Sequence, residues 1–237
     1  MTSTTLLGSE EVAAGTRAFH FAKPDGFTYE AGQSIDLFLV DPPETDAEGN
    51  KRAYSLSSSP EETQLTVTTR MRDTAFKRVL ASLPTGSALQ LDGPFGSMTL
   101  HQNTAKPAVF LAGGIGITPF YSMIKDTVHR KLPHNLTLLY SNRTLQDAAY
   151  HQEIQEFTHE HSELTYIPTM TDAAQSGAWN GETGYISGDM IKRYVPNPGS
   201  AIFYMAGPLA FVTAMKGAIA DAGGDPDNIR FEEFSGY

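Results

Sequence analysis

The chain has 237 residues, a formal net charge of −10, 40% hydrophobic residues and no cysteine. That length holds one large or two modest domains, each with its own core, and the acidity argues against nucleic acid, which needs clustered Lys and Arg. The missing cysteine excludes disulfides, thiolate nucleophiles and cysteine-held iron–sulfur or zinc centres in this polypeptide.

No stretch approaches the ~20 apolar residues of a membrane span. Met1-Thr2-Ser3-Thr4-Thr5 lacks the basic start and apolar core of a signal peptide, so a cytoplasmic location is expected.

The first hundred residues read as short strands between turns. Strands are expected at 15–21, 33–40, 52–57, 64–70 and 88–92, with a turn at Lys23-Pro24-Asp25-Gly26. The acidic, proline-containing stretch Asp41–Asn50 reads as an exposed, mobile loop. Asp73 or Thr74 can cap a helix over 75–83, with Phe76, Val79, Leu80 and Leu83 on one face and Pro84 ending it. Many short strands at this spacing suggest a small antiparallel barrel or sandwich. Within them, Arg52-Ala53-Tyr54-Ser55 puts Arg52 and Tyr54 on one face and Ser55 on the other. An Arg offers a fork for phosphate and a Tyr a flat surface for a ring. A solvated Arg beside a packed Tyr is the alternative.

From Lys106-Pro107 the pattern changes to strands alternating with helices. Strands are expected at 107–111, 136–140, 164–168 and 201–206, and helices after Pro119, over 147–157 and over 209–222, where Gly223-Gly224 stops the last. This is the pattern of a doubly wound parallel sheet, whose ligands bind beyond the carboxyl ends of the strands. The turn Gly113-Gly114-Ile115-Gly116-Ile117-Thr118-Pro119 joins the first of these strands to a helix. Such a turn either cradles a phosphate or is purely structural. Pro119 stands where a third glycine is usual and suits a first helical turn. The turns at Ser141-Asn142-Arg143 and Gly207-Pro208 also follow strands and can share one crevice with it. His151, His159 and His161 lack the spacing of a metal motif and read as a solvated face, so no metal site is expected.

Taken in order, these motifs resemble the ferredoxin–NADP reductase family, over nearly the whole chain. The resemblance implies an antiparallel FAD-binding β-barrel domain at 1–105 and an α/β NAD(P)-binding domain, a doubly wound parallel sheet, at 106–237. Arg52-Ala53-Tyr54-Ser55 is similar to the family's R-x-Y-S motif. This implies Arg52 on the FAD pyrophosphate, Tyr54 against the isoalloxazine and Ser55 near the flavin N5. The strand holding Thr68, Thr69 and Arg70 would lie along the ribityl chain. Arg72-Asp73-Thr74-Ala75 takes the place of a G-x-x-S pyrophosphate cradle without its glycine, and Asp73 beside a phosphate would need to cap the helix or pair with Arg72 or Arg70. Gly113, Gly114, Gly116, Thr118 and Pro119 match the dinucleotide turn, with Thr118 close to the nicotinamide.

Further on, Trp179-Asn180-Gly181-Glu182-Thr183-Gly184-Tyr185-Ile186 is similar to the family's W-x-G-x-x-G-x-I. Ala206-Gly207-Pro208 stands where C-G-P is usual, which implies slower hydride transfer or another positioning group. Glu232 and Phe234 match the family's terminal E-x-aromatic, the ring stacking on the flavin; Tyr237 is the alternative ring. Ser141 and Arg143 could meet a 2′-phosphate, and Tyr150 either contacts the adenine side or packs.

The implied activity is that of an oxidoreductase, a flavoprotein of electron transfer. NAD(P)H would pass hydride to FAD, and electrons would leave singly for a separate acceptor: ferredoxin, flavodoxin, another protein or a small molecule. Ser55, Thr118, Glu232 and Phe234 would carry the chemistry. Two alternatives are a reductase using flavin as a dissociable substrate and a flavin-binding electron-transfer or regulatory subunit without NAD(P)H turnover.

Overall fold

The period-two patterning of the first half folds into one six-stranded antiparallel sheet, in a computed structural model that describes residues 1–234. Its strands are β1 (Thr2–Ala13), β2 (Thr16–Ala22), β3 (Ser34–Leu39), β4 (Lys51–Ser55), β5 (Gln64–Arg70) and β6 (Ala88–Phe95). They run in the order β4-β3-β6-β1-β2-β5. The two outer strands then meet: Leu56 bridges Val67, and Ser57 N–H donates to Thr66 O at 2.8 Å. The sheet is therefore closed as a barrel and leaves little free edge. Phe19, Phe21, Ile35, Leu37, Leu65, Val67, Leu89 and Leu91 fill it.

Helix α1 (Ala75–Ser82) adds Phe76, Val79 and Leu80 to that core. Thr74 is its N-cap, accepting from Lys77 N–H at 3.4 Å, while Asp73 pairs with Arg78 rather than capping or meeting Arg70 or Arg72. Strand β1 carries no clean alternation because it is held by its backbone. Its first residues pair with β6 and the rest with β2, while Ser9, Glu10 and Glu11 stay exposed.

The second half builds a six-stranded parallel sheet. Its elements are β7 (Ala108–Gly113), α2 (Ile117–Arg130), β8 (Leu136–Asn142), α3 (His151–Glu160), β9 (Leu164–Met170), β10 (Glu182–Thr183), α4 (Gly188–Tyr194), β11 (Ile202–Pro208), α5 (Leu209–Ala222) and β12 (Ile229–Phe234). The order is β10-β9-β8-β7-β11-β12. β7 and β8 are buried along their whole lengths because helices cover both faces. Phe110, Leu138, Tyr140 and Tyr204 face α2 and α3, whereas Val109, Leu111, Leu139, Phe203 and Met205 face α4 and α5.

Helix α3 starts four residues later than its periodicity predicts. Thr144 and Asp147 close a capping box around a short 3₁₀ turn, and Tyr150 then adopts a left-handed backbone at φ 61°, so the helix restarts at His151. Neither α4 nor the strand character of β12 was legible in the sequence. Among the described residues no helix is long and apolar enough to cross a membrane.

Several hydrogen bonds join the two halves. Ser122 Oγ donates to Ser58 O at 2.6 Å, Ser59 Oγ to Asp126 Oδ1 at 3.1 Å, and Ala14 N–H to Gln146 O at 2.8 Å. The Tyr150 and Thr68 hydroxyls are also bonded to each other.

Candidate active site

A cleft of about 220 Å³ lies between the barrel and the carboxyl ends of the parallel strands. Ser34, Ala53, Tyr54, Ser55, Thr68 and Thr69 line it from β3, β4 and β5, and Thr74 and Lys77 from α1. Ile115 and Thr118 reach it from the glycine turn, and Glu232, Glu233 and Phe234 from β12. Four residues expected to act together, Ser55, Thr118, Glu232 and Phe234, thus line one cleft. Ser55 Oγ reaches Glu232 Oε2 at 3.5 Å, across 177 positions of chain. Burial raises the Glu232 pKa and the Ser55 hydrogen bond opposes it, so this carboxyl holds a proton closer to neutrality than an exposed glutamate does.

Arg52 and Tyr54 do share a face of β4: the guanidinium lies 5.1 Å from the Phe76 ring centroid and the Tyr54 ring 6.2 Å. The Tyr54 hydroxyl is buried with no completed hydrogen bond among the described residues. Its pKa is raised by burial, which the Arg52 charge opposes. Arg52 is the opposite case. Its side chain is only 15% exposed and ion-paired to Asp46 at 2.6 Å and Glu48 at 3.1 Å. It also donates to the backbone oxygens of Glu48, Gly49 and Lys51. The 41–50 loop, read as exposed and mobile, is exposed but pinned, because two arginines that the sequence does not visibly pair with it hold its carboxylates.

The glycine turn is shaped by contact. A Cβ on Gly116 would stand 2.1 Å from Ala206 O, and one on Gly113 would stand 2.7 Å from the Phe211 ring. Gly116 lets the turn lie directly on β11, and Gly113 lets the end of β7 lie against α5, which together carry α2's N-terminus to the cleft. Pro119 falls in the first turn of α2, and Thr118 Oγ1 donates to Ile115 O at 3.2 Å. Gly207 and Pro208 end β11 beside the turn, in register with Glu233 and Phe234. Ala206 is buried and in register with Glu232.

Other expected residues lie outside the lining of this cleft. Arg70 pairs with Asp147 at 3.6 Å. Tyr150 is packed, its ring stacked 3.8 Å from Tyr121. Ser141 and Arg143 sit at the carboxyl end of β8, where Arg143 is 71% exposed and 3.7 Å from Asp172. His151 and His161 are half-buried rather than solvated, hydrogen-bonded to Tyr166 Oη at 2.8 Å and His134 O at 3.0 Å. Among the described residues no cluster of His, Asp or Glu is arranged to hold a metal. Tyr237 lies outside the described residues.

Residues 110–217 match the model of the oxidoreductase NAD-binding domain. The chain is 29% identical over 194 residues to ferredoxin–NADP reductase B of Sorangium cellulosum, covering 80% of this chain and 77% of that one. It is 28% identical over 200 residues to a component of the Na⁺-translocating NADH-quinone reductase of Serratia proteamaculans, covering 78% of this chain and 49% of that one. It therefore spans about half the length of the quinone-reductase components it matches. The structure superposes on a ferredoxin–NADP⁺ reductase of Neisseria gonorrhoeae, solved with bound FAD and NADP, with a TM-score of 0.79 at 19% identity over 98% of both chains. Residues 110–217 thus match an oxidoreductase NAD-binding domain, and the chain as a whole is similar to the ferredoxin–NADP reductases in sequence and shares their fold.

A flavin of that family can be tested against the residues present. The partnerless Tyr54 hydroxyl and the Ser55–Glu232 pair give its ring and ribityl parts polar groups to meet. Lys77 was missed by sequence reasoning. It stands three residues after the cap, so one helical turn brings it back to the cap's side. Burial foremost, then Arg72 and Arg52, bring its pKa down to about 8.

Proposed function

We propose that this chain is an NAD(P)H-dependent flavoprotein reductase passing electrons through FAD to a separate acceptor, with 1–105 as the flavin-binding unit and 106–237 as the nucleotide-binding unit. The observation that carries the reading is the Ser55–Glu232 contact, which joins the Arg-x-Tyr-Ser strand to the last described strand beside Thr118. A flavin held there would supply the redox chemistry, taking a hydride from the nicotinamide and giving up electrons one at a time. The chain's own residues do the rest. Tyr54 supports the ring, the turn 113–119 brings the nucleotide to strand ends, and Phe234 covers the cleft until the nicotinamide arrives. Glu232, with its raised pKa, holds or passes a proton at its carboxyl through the Ser55 hydroxyl. The acceptor is of the ferredoxin, flavodoxin or similar protein class, and the setting is cytoplasmic. Anaerobic addition of NADH or NADPH should bleach the bound flavin's visible absorbance; persistence of the colour with both nucleotides overturns the reading.

Asp172 favours NADH over NADPH. Its carboxylate lies against Arg143, the side chain that would otherwise face a 2′-phosphate, and its own charge repels that phosphate. Asp172→Ser should raise kcat/KM for NADPH about tenfold and leave that for NADH within twofold.

A second reading treats flavin as a dissociable substrate. It is favoured by the saturation of Arg52 by the chain's own acceptors. Under it the purified protein is colourless and turns over only with added flavin.

A further inference from the structure

The segment 41–50 contains four carboxylates, Asp41, Glu44, Asp46 and Glu48. Three of them are buckled onto two arginines. Glu44 takes Arg78 through both oxygens, from Nε at 3.0 Å and from Nη2 at 2.6 Å. Asp46 and Glu48 take Arg52 from Nη2 and Nε, and three backbone oxygens take its Nη1. Every nitrogen of the Arg52 guanidinium is thus engaged within its own half of the molecule. Asp46 lines a cavity with Thr74 and Ala75 at the start of α1 as well as meeting Arg52. The Arg52 hydrogen bond foremost, with smaller help from the Glu48 and Phe76 backbone N–H groups, holds its carboxyl below the usual carboxylate range. A carboxylate shared between an arginine and the first turn of a helix occupies the position an anionic phosphate would seek. The neighbouring cations, Arg72 and Lys77, have no ion pair among the described residues.

We infer that the 41–50 segment decides which flavins the cleft retains: Asp46 and Glu48 compete with flavin phosphates for Arg52, and leave a phosphate-free flavin undisturbed. This rests on the flavin reading above. A flavin carrying a diphosphate must break the two ion pairs before Arg52 can turn to it. Riboflavin ends at its ribityl hydroxyl and asks nothing of Arg52. The competition therefore narrows the preference for FAD over riboflavin that a free arginine would give, and Glu44 on Arg78 keeps the segment close enough to rebind.

The test compares FAD and riboflavin affinities by fluorescence quenching. Its proteins are the unmodified chain, the double variant Asp46→Asn/Glu48→Gln, and Asp41→Asn. The last removes a charge from the same segment without touching Arg52 or Arg78. Working in 0.5 M NaCl suppresses the general attraction of an anion to a less acidic surface. The double variant should bind FAD at least fivefold more tightly, with riboflavin within twofold and Asp41→Asn within twofold for both. Equal tightening for both flavins, tightening by Asp41→Asn of the same size, or weaker FAD binding overturns the inference while leaving the flavin reading intact. If neither flavin binds any of the three proteins, the flavin reading fails and the inference falls with it.

Discussion

Glu232 shows how one side chain can tie stability to chemistry. Its folded pKa is raised, so the native state prefers the protonated carboxyl. As pH climbs above the ordinary glutamate value of about 4.3, the unfolded chain loses its proton first, and the native state is penalised from there upward. Glu232→Gln should therefore raise Tm at pH 8 and leave it unchanged at pH 3.5. In the same variant, flavin reduction by NAD(P)H should fall by roughly 10²-fold, the usual contribution of a positioned proton donor. His101 has the opposite history. It is buried against Tyr204, hydrogen-bonded to its hydroxyl at 2.9 Å and to Lys106 O at 2.9 Å. Burial lowers its pKa, partly offset by the Lys106 bond. The unfolded chain then takes up the proton first as the solution acidifies. Stability is full above about pH 6.5 and is lost as pH falls from there through the folded value. Urea titrations at pH 7.5, 6.0 and 5.0 should show this loss, and His101→Gln should make the slope shallower. Ser55 and Glu232 could be named from sequence because the motifs around them are local. Lys77 could not, since a lysine on an amphipathic helix reads as solvated until the barrel beneath it is known.

At the scale of elements, the strand-turn-helix at 108–130 was legible because an apolar run, three glycines and a returning helical period point the same way. What the sequence hides is why the glycines are there. Gly116 stands against the backbone of Ala206, which cannot give way, so Gly116→Ala should cost about 1–3 kcal/mol or more by overpacking. Gly113 faces the Phe211 ring, whose side chain can turn, and Gly113→Ala should cost less. Chemical denaturation of both variants checks the order. The acidic loop teaches a similar lesson. Its composition correctly predicts exposure, but its partners Arg52 and Arg78 come from a later strand and helix, and no local pattern announces them. Helix α3 fails at its start for a local reason that periodicity does not weigh, the left-handed Tyr150.

The molecule as a whole depends on contacts between its halves. Tyr150 bonds Thr68, which in turn is 2.9 Å from Ser57 Oγ, so a hydroxyl chain crosses from α3's start into the barrel wall. Tyr150→Phe leaves the Tyr121 stack in place but strips the buried Thr68 hydroxyl of one of its two partners. It should destabilise the protein by about 1–2 kcal/mol, read as a lower urea midpoint with unchanged slope. Fold class was readable because the two halves differ in period; the crossing contacts were not, since they link positions far apart in sequence. Strand β12 carries the longest of these links. The barrel's strands are complete by Phe95, yet the carboxyl facing Ser55 belongs to Glu232. Glu232 follows Phe95 by roughly 140 residues, so during synthesis it is added about ten seconds after the barrel's last strand. Through that interval Ser55 waits opposite nothing, and a flavin captured early would sit in a half-walled cleft. Translation itself thus orders the assembly: the barrel's side of the cleft exists well before the carboxyl that completes it.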